Sequence, residues 1–386
     1  MSDKYSNKTV IYLIGLVCYI TNMFLNYSMF KYTSGILLAK FTLFPIIILC
    51  LFYKILFIDK VSLKELIFYL LFVGIAVIVS IKSGNRQILT LSLLIISSKN
   101  INFRYILLTF LIIVPLLLFI TFLFSQANII PNLQYFRVRE GELKIRNSYG
   151  MIYPTIFAAY LQYIVIGYSY FMRKNSLSHI TFIILSILCF FICLYMADAR
   201  MSAYSIVLYL FIFYFCSLFF RNIGQYKILS TLTVFIFPLF FCAIYFLSAK
   251  YDPSSSILET INSALSGRLR LAHSALETYD IPLLGQEIKF VGLGGAVQDM
   301  GEDYNYVDSS FLQFLLSYGT IFSIFSTLLM MVITWKRIKL SDYRFLAIII
   351  ILSFNSMIED RLLDISVNIY WLLALAYYNN TRIKHD

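Results

Sequence analysis

Apolar stretches follow one another along almost the whole of this 386-residue chain, and only two of the polar interruptions between them are long. A bilayer-spanning helix takes about 20 mostly apolar residues. Stretches of that kind lie near 10–29, 35–57, 65–81, 87–98, 105–124, 151–171, 180–197, 201–220, 228–248, 311–335, 344–358 and 362–379. The long interruptions are 125–150 and 250–309, and every other connection is a few residues. This pattern predicts an all-α polytopic membrane protein of about twelve transmembrane helices. It reads as one integral membrane domain over 1–386, with two larger extracytoplasmic loops, the second partly helical. The fourth stretch is short and carries Ser92, Ser97 and Ser98, so a tilted or partial span is expected there.

Composition agrees. Hydrophobic residues make up 60% of the chain, against about 45–50% in soluble domains, and the mean hydropathy is +0.81. The first apolar run, 9–30, is too long for a signal-peptide h-region and lacks a small-residue cleavage site, so it reads as a retained span. All six cysteines fall inside apolar stretches. That suggests small buried hydrophobes rather than disulfides or a metal site, even for the i, i+4 pair Cys189 and Cys193.

With an even number of spans and the N-terminus inside, most Lys and Arg of the short connections fall on one side. Lys60, Lys64, Lys99, Arg104, Arg221, Lys227, Lys336, Arg337 and Lys339 are among them, while the other side holds Lys31, Lys82, Arg86, Arg200 and Arg361. Positive residues in short loops stay cytoplasmic. Both termini are therefore expected in the cytoplasm and both long loops outside. The net charge of +11 is a topology signal; with no basic patch or arm, nucleic acid is not an expected partner. Membrane lipids are.

The first long loop places Arg137, Arg139, Lys144 and Arg146 just ahead of a span. Such a run is either a solvated loop or an anion site, for which arginine offers a planar two-pronged donor. Ser148 is a candidate cap of the following helix. In the tight turn Asp198-Ala199-Arg200, the arginine either snorkels or pairs with Asp198, or faces a functional cavity.

The second loop opens with Asp252-Pro253-Ser254-Ser255-Ser256, a helix-start signal. Apolar residues then recur at spacings of three and four from Ile257 to Leu276, an amphipathic helix broken near Gly267. Arg268 is in step with the apolar stripe; Arg270 lies roughly 200° round from it. Arg268 is thus the candidate site residue of the two. His273 reads as a surface or packing histidine, and the Gly292–Gly295 turn lacks the Gly-Lys-Ser/Thr of a phosphate loop. Asp299, Glu302 and Asp303 make the loop's end acidic. Asp308 either caps the next span or offers a carboxylate that accepts a proton from, or holds, an incoming hydroxyl. Glu359, beside Asp360 and Arg361 in the last outer turn, shares a helix face with Asn355 and reads as a packing or site residue. The pair Asn22 and Asn26 is similar.

Taken in order, these segments resemble the Wzy-type polysaccharide polymerases. The carriers are Arg146-Asn147-Ser148-Tyr149-Gly150, the Asp198-Ala199-Arg200 turn, Ser266-Gly267-Arg268-Leu269, the run from Asp308-Ser309-Ser310-Phe311-Leu312 to Tyr318-Gly319, and Glu359. Tyr153-Pro154 stands where that family often has His-Pro, and Asp308 stands where the related O-antigen ligases commonly have histidine. The resemblance implies transfer of an oligosaccharide from undecaprenyl diphosphate to a hydroxyl of a second lipid-linked repeat, outside a bacterial cytoplasmic membrane. It implies Asp308 and Arg268 as catalytic residues, and Arg146, Arg200 and Glu359 as substrate-binding ones; the cation run of the first loop adds Arg139 to the substrate-binding set. The donor is already activated, so no cofactor or metal is expected; a chain-length regulator is a conceivable partner protein. The alternatives are an O-antigen-type ligase and, from another class, a lipid-linked oligosaccharide flippase. A flippase needs a charged central cavity rather than large outer loops.

Overall fold

The computed structural model describes residues 7–139, 141–172, 175–292, 294 and 304–378; for 137–139 and 142 it describes the backbone alone. Asp299, Glu302, Asp303 and both chain ends lie outside the described residues.

The apolar stretches fold as helices: α1 Asn7–Tyr27, α2 Ser34–Tyr53, α3 Leu63–Ser83, α4 Gln87–Ser97 and α5 Phe103–Gln126. A hairpin follows, β1 Gln134–Arg139 and β2 Glu142–Asn147, and then α6 Pro154–Ser169, α7 Ser176–Phe191, α8 Arg200–Phe219, α9 Lys227–Thr233 and α10 Ile236–Ala249. The second long connection holds α11 Ser256–Ala264 and α12 Arg268–Thr278, ahead of α13 Ser310–Gln313, α14 Gly319–Lys339 and α15 Tyr343–Ile358. Polar side chains mark several starts. Ser62 and Glu65 form a reciprocal capping box on α3, Asn102 caps α5, Asp342 caps α15, and Pro154 takes the first position of α6.

Among the described residues, seven helices are long and apolar enough to cross a membrane, and the bent pair α9–α10 makes an eighth. The count of about twelve is thus not reached by long helices: α6 and α15 have 16 residues each, and two other stretches fall further short. α4 has only 11 residues, and Thr90 to Ser97 are all buried. It runs from the end of α3 toward the opposite end of the bundle, where Lys99 meets Glu65 at 2.7 Å and the buried Lys54 binds Asp59 and the Lys99 carbonyl.

The last stretch departs further. Residues 362–378, expected as a helix, run back through the bundle as turns and one 3₁₀ segment, Ile369–Ala374. Backbone of this kind survives away from water only where protein surrounds it and satisfies its polar groups. Leu362 to Ala374 are buried. The Leu362 carbonyl accepts from Asn368 Nδ2 and Trp371 Nε1, and the Leu372 carbonyl from Ser98 Oγ. Tyr377 then exchanges backbone hydrogen bonds with Ile101 and Phe103 at the start of α5.

The centre of the bundle is α6 and α15, buried over most of their lengths. α15 packs on α8 and α10, and α6 on α5, α7 and α8. α2 and α3 leave Leu38, Phe41, Leu70 and Ile81 exposed, an outward apolar face suited to lipid. The ends of α1, α3, α10 and α15 and the starts of α4, α6, α8 and α13 gather at one end of the bundle.

Candidate functional site

Two cavities adjoin at that end. The larger, about 540 Å³, is lined by the end of α1 (Tyr27), the start of α4 (Asn85, Gln87), the start of α6 (Tyr153, Thr155), the loop ahead of α13 (Tyr304, Tyr306, Asp308) and the chain after α15 (Glu359, Asp360, Arg361, Asp364). The smaller, about 40 Å³, is lined by Arg146, Thr155, Asp198, Arg200, Ser202, Ser266 and Glu359. Thr155 and Glu359 line both.

The hairpin delivers Arg146. Its register pairs Tyr135 with Arg146, so both side chains lie on one face. Tyr135 anchors that face: its hydroxyl donates to the Ile152 carbonyl at 2.7 Å, and its ring meets Tyr153 edge-on at 4.8 Å. Arg146 is buried, donates from Nη1 to the Tyr153 hydroxyl at 3.2 Å, and lies over the Tyr153 ring. The loop is therefore not a solvated run at this position. Arg139 pairs with Glu142 at the hairpin tip, four positions along β1 from the partner of Arg146; its side chain lies outside the described residues.

Asp198 joins two segments far apart in sequence. Its Oδ2 is 3.8 Å from Arg146 Nε and its Oδ1 is 3.8 Å from Arg200 Nε. Asp198 has φ +42°, a conformation that Asp tolerates better than most residues, and this lets α8 begin directly at Arg200. Pairing with Asp198 and placement in a cavity, two readings the sequence left open for Arg200, occur together.

Arg268 opens α12 because Ser266 and Gly267 both have positive φ, +59° and +84°, ending α11 and redirecting the chain. Its Nε donates to Asp308 Oδ2 at 3.1 Å. Arg270 is exposed on the other side, its backbone N–H bound by Asn262 Oδ1. Two capping expectations are corrected here. Ser309, not Asp308, caps α13: its hydroxyl accepts from the Leu312 N–H. Ser148 makes no cap to α6, whose start is the extended residue Tyr153 followed by Pro154.

Glu359 follows the last residue of α15. Its backbone N–H donates to the Asn355 carbonyl at 2.7 Å, and Ser202 Oγ donates to its Oε1 at 3.2 Å. Burial raises the Glu359 carboxyl above its ordinary range, with Arg268 and Arg361 pulling it back. Asp308 is raised for the same first reason, and Arg268 again opposes. One guanidinium thus acts on both carboxylates.

Sequence reasoning passed over the neighbours of Glu359. Arg361 lies over the Tyr27 ring and pairs with Asp360 at 3.2 Å. Asp360 also accepts from the Tyr306 hydroxyl. Asn85 Nδ2 donates to the Tyr318 hydroxyl at 2.9 Å, closing the far side of the larger cavity. The available signal was Glu359-Asp360-Arg361, three ionisable residues between two apolar stretches, with Asp364 just inside the second. His273, which showed no partner in the sequence, faces the Ser248 carbonyl at 2.9 Å and Glu277 at 3.4 Å.

The site can therefore hold an anion against Arg146 and Arg200 beside a larger polar and aromatic cavity. One carboxylate, Glu359, stands on the wall between them. The chain matches no protein-family model, no curated protein and no solved structure.

Proposed function

We propose that this chain is a membrane glycosyltransferase that polymerises lipid-linked oligosaccharide repeat units. It works on the outer face of a bacterial cytoplasmic membrane, with about twelve crossings and both termini in the cytoplasm. The observation that carries the reading is that arginines from the hairpin and from the start of α8, Arg146 and Arg200, line one small pocket that adjoins a cavity of about 540 Å³. Transfer from undecaprenyl diphosphate releases a lipid diphosphate. Fixed cations at the place where that negative charge develops lower the barrier, and losing one such donor typically costs about 10²–10³ in rate. The larger cavity, with its tyrosines, amides and carboxylates, suits the acceptor sugar. The ordered resemblance of the sequence to the Wzy-type polymerases supports the same chemistry.

The lipid-linked product of a deletion strain tests it. Single repeats accumulating outside the membrane are the expected result. Repeats trapped inside would make the chain a flippase, and long chains left on their lipid would make it a ligase.

A further inference from the structure

Among the described residues, four carboxylates line the larger cavity: Asp308, Glu359, Asp360 and Asp364. They are not equivalent. Asp308 is engaged by Arg268, Asp360 by Arg361 and Tyr306, and Asp364, at Oδ1 only, by the backbone N–H and hydroxyl of Ser366, its Oδ2 being buried without a hydrogen bond among the described residues. Of the four, Glu359 alone also lines the arginine pocket. Its Oε1 is held by Ser202, while its Oε2 is buried with no hydrogen-bond partner among the described residues. Its backbone is fixed on both sides, the N–H by Asn355 and the carbonyl by Ser310.

We infer that Glu359 is the catalytic base of the transfer, and that Asp308 is a positioning residue that holds Arg268. This rests on the polymerase reading above. A base for glycosyl transfer has to reach the acceptor hydroxyl while the leaving group sits a bond away on the other side of the anomeric carbon. A side chain on the wall shared by an acceptor cavity and an anion pocket meets that demand; Asp308, on the larger cavity only, does not.

The step balances. The acceptor hydroxyl oxygen forms a bond to the anomeric carbon as the bond from that carbon to the diphosphate oxygen breaks. The electron pair leaves with the lipid diphosphate into the pocket of Arg146 and Arg200. The hydroxyl proton passes to the Glu359 carboxylate and from there to water.

Glu359 must be ionised to act, so activity rises with pH as its proton leaves. Charged groups face Glu359 from every neighbouring element, and those that move its limb are Arg268, Arg361 and Asp360. The cations are Arg146 on β2, Arg200 on α8, Arg268 on α12 and Arg361 in the adjoining turn; the acids are Asp198, Asp308 and Asp360. Burial places the limb above the ordinary carboxylate range.

The test is turnover against pH in proteoliposomes carrying the purified protein, with the undecaprenyl diphosphate-linked repeat unit as substrate and undecaprenyl diphosphate binding measured alongside. Glu359→Gln is expected to lose roughly 10²–10⁴-fold in kcat and the acidic limb, while keeping diphosphate binding. Asp308→Asn is expected to keep the limb and raise KM. A Glu359→Gln enzyme with the wild-type limb, or with near wild-type turnover, overturns the assignment. If Glu359→Gln also loses binding, Glu359→Asp decides: a displaced limb supports the assignment and an unmoved one overturns it. A wild-type protein that makes no polymer here overturns the polymerase reading itself.

Discussion

Ser310 binds the backbone carbonyl of Glu359 twice, through its amide at 3.1 Å and through its hydroxyl at 2.5 Å. The same hydroxyl accepts from the Leu362 N–H at 3.2 Å. The start of α13 and the end of α15 are thereby one frame, and Asp308 and Glu359 are carried on it together. Ser310→Ala leaves the buried Leu362 N–H without its acceptor, which costs about 1–3 kcal/mol. A lowered unfolding temperature in detergent, with a larger proportional loss of polymer than of folded protein, is the expected reading; unchanged stability would remove Ser310 from this role.

Arg268 and Arg270 separate a site charge from a solvated one. Arg268→Ala should abolish polymer on gels at normal membrane expression, because it leaves Asp308 unpaired and strips the cation that acts on Glu359. Arg270→Ala should retain most activity, since its side chain is exposed. Equal losses from the two would contradict the assignment.

Arg146 and Arg200 share Asp198 and one pocket. Lysine keeps the charge but offers no flat two-pronged donor. Arg146→Lys should be the more damaging of the two, because it also loses the bond to the Tyr153 hydroxyl and the packing on that ring. Undecaprenyl diphosphate affinity, measured for each variant, should fall along with turnover; two fully active lysine variants would leave these arginines a purely structural role.

Ser309 and Asp308 divide two tasks that one aspartate could have performed. Ser309→Ala removes a helix cap and is expected to cost about 1 kcal/mol of stability. Asp308→Asn should leave the cap untouched and stability close to wild type, with the kinetic effect confined to KM. A thermal melt of both proteins separates them, and a destabilised Asp308→Asn beside a stable Ser309→Ala would reverse the assignment.

Gly319 is the point where the chain leaves a π-type turn, Phe314–Tyr318, and starts α14. It has φ +85°, and a Cβ there would stand 2.5 Å from the Gly285 nitrogen and 2.7 Å from the Leu283 carbonyl oxygen. Neither the backbone conformation nor the space admits a side chain. Gly319→Ala should therefore destabilise by at least the roughly 1–3 kcal/mol of a strained backbone position, seen as reduced folded yield or melting temperature; a wild-type melt would show that the α12–α13 connection is free to shift.

What the sequence determined by itself is what local physics determines. Apolarity over some twenty residues marked the long membrane helices. Spacings of three and four marked the amphipathic stretch, and a spacing of two separated Arg268 from Arg270. None of this needs a neighbour from elsewhere in the chain. The tertiary structure decided what depends on distant partners. Residues 362–378 are apolar enough for a helix, yet Ser98 from α4 and backbone groups at 101–103 satisfy them in another form, and being surrounded by protein makes that form affordable. Asp308 has the chemistry of a cap, but Arg268, 40 residues earlier, takes its carboxylate while the next serine caps. Arg146 and Arg200 are 54 positions apart and meet only because Asp198 reaches both. Glu359 stands between the two cavities because Ser202 and Ser310 fix it from α8 and α13. Those contacts reward a burial that helical period and hydropathy do not encode, so the site emerges only when the helix ends are brought together.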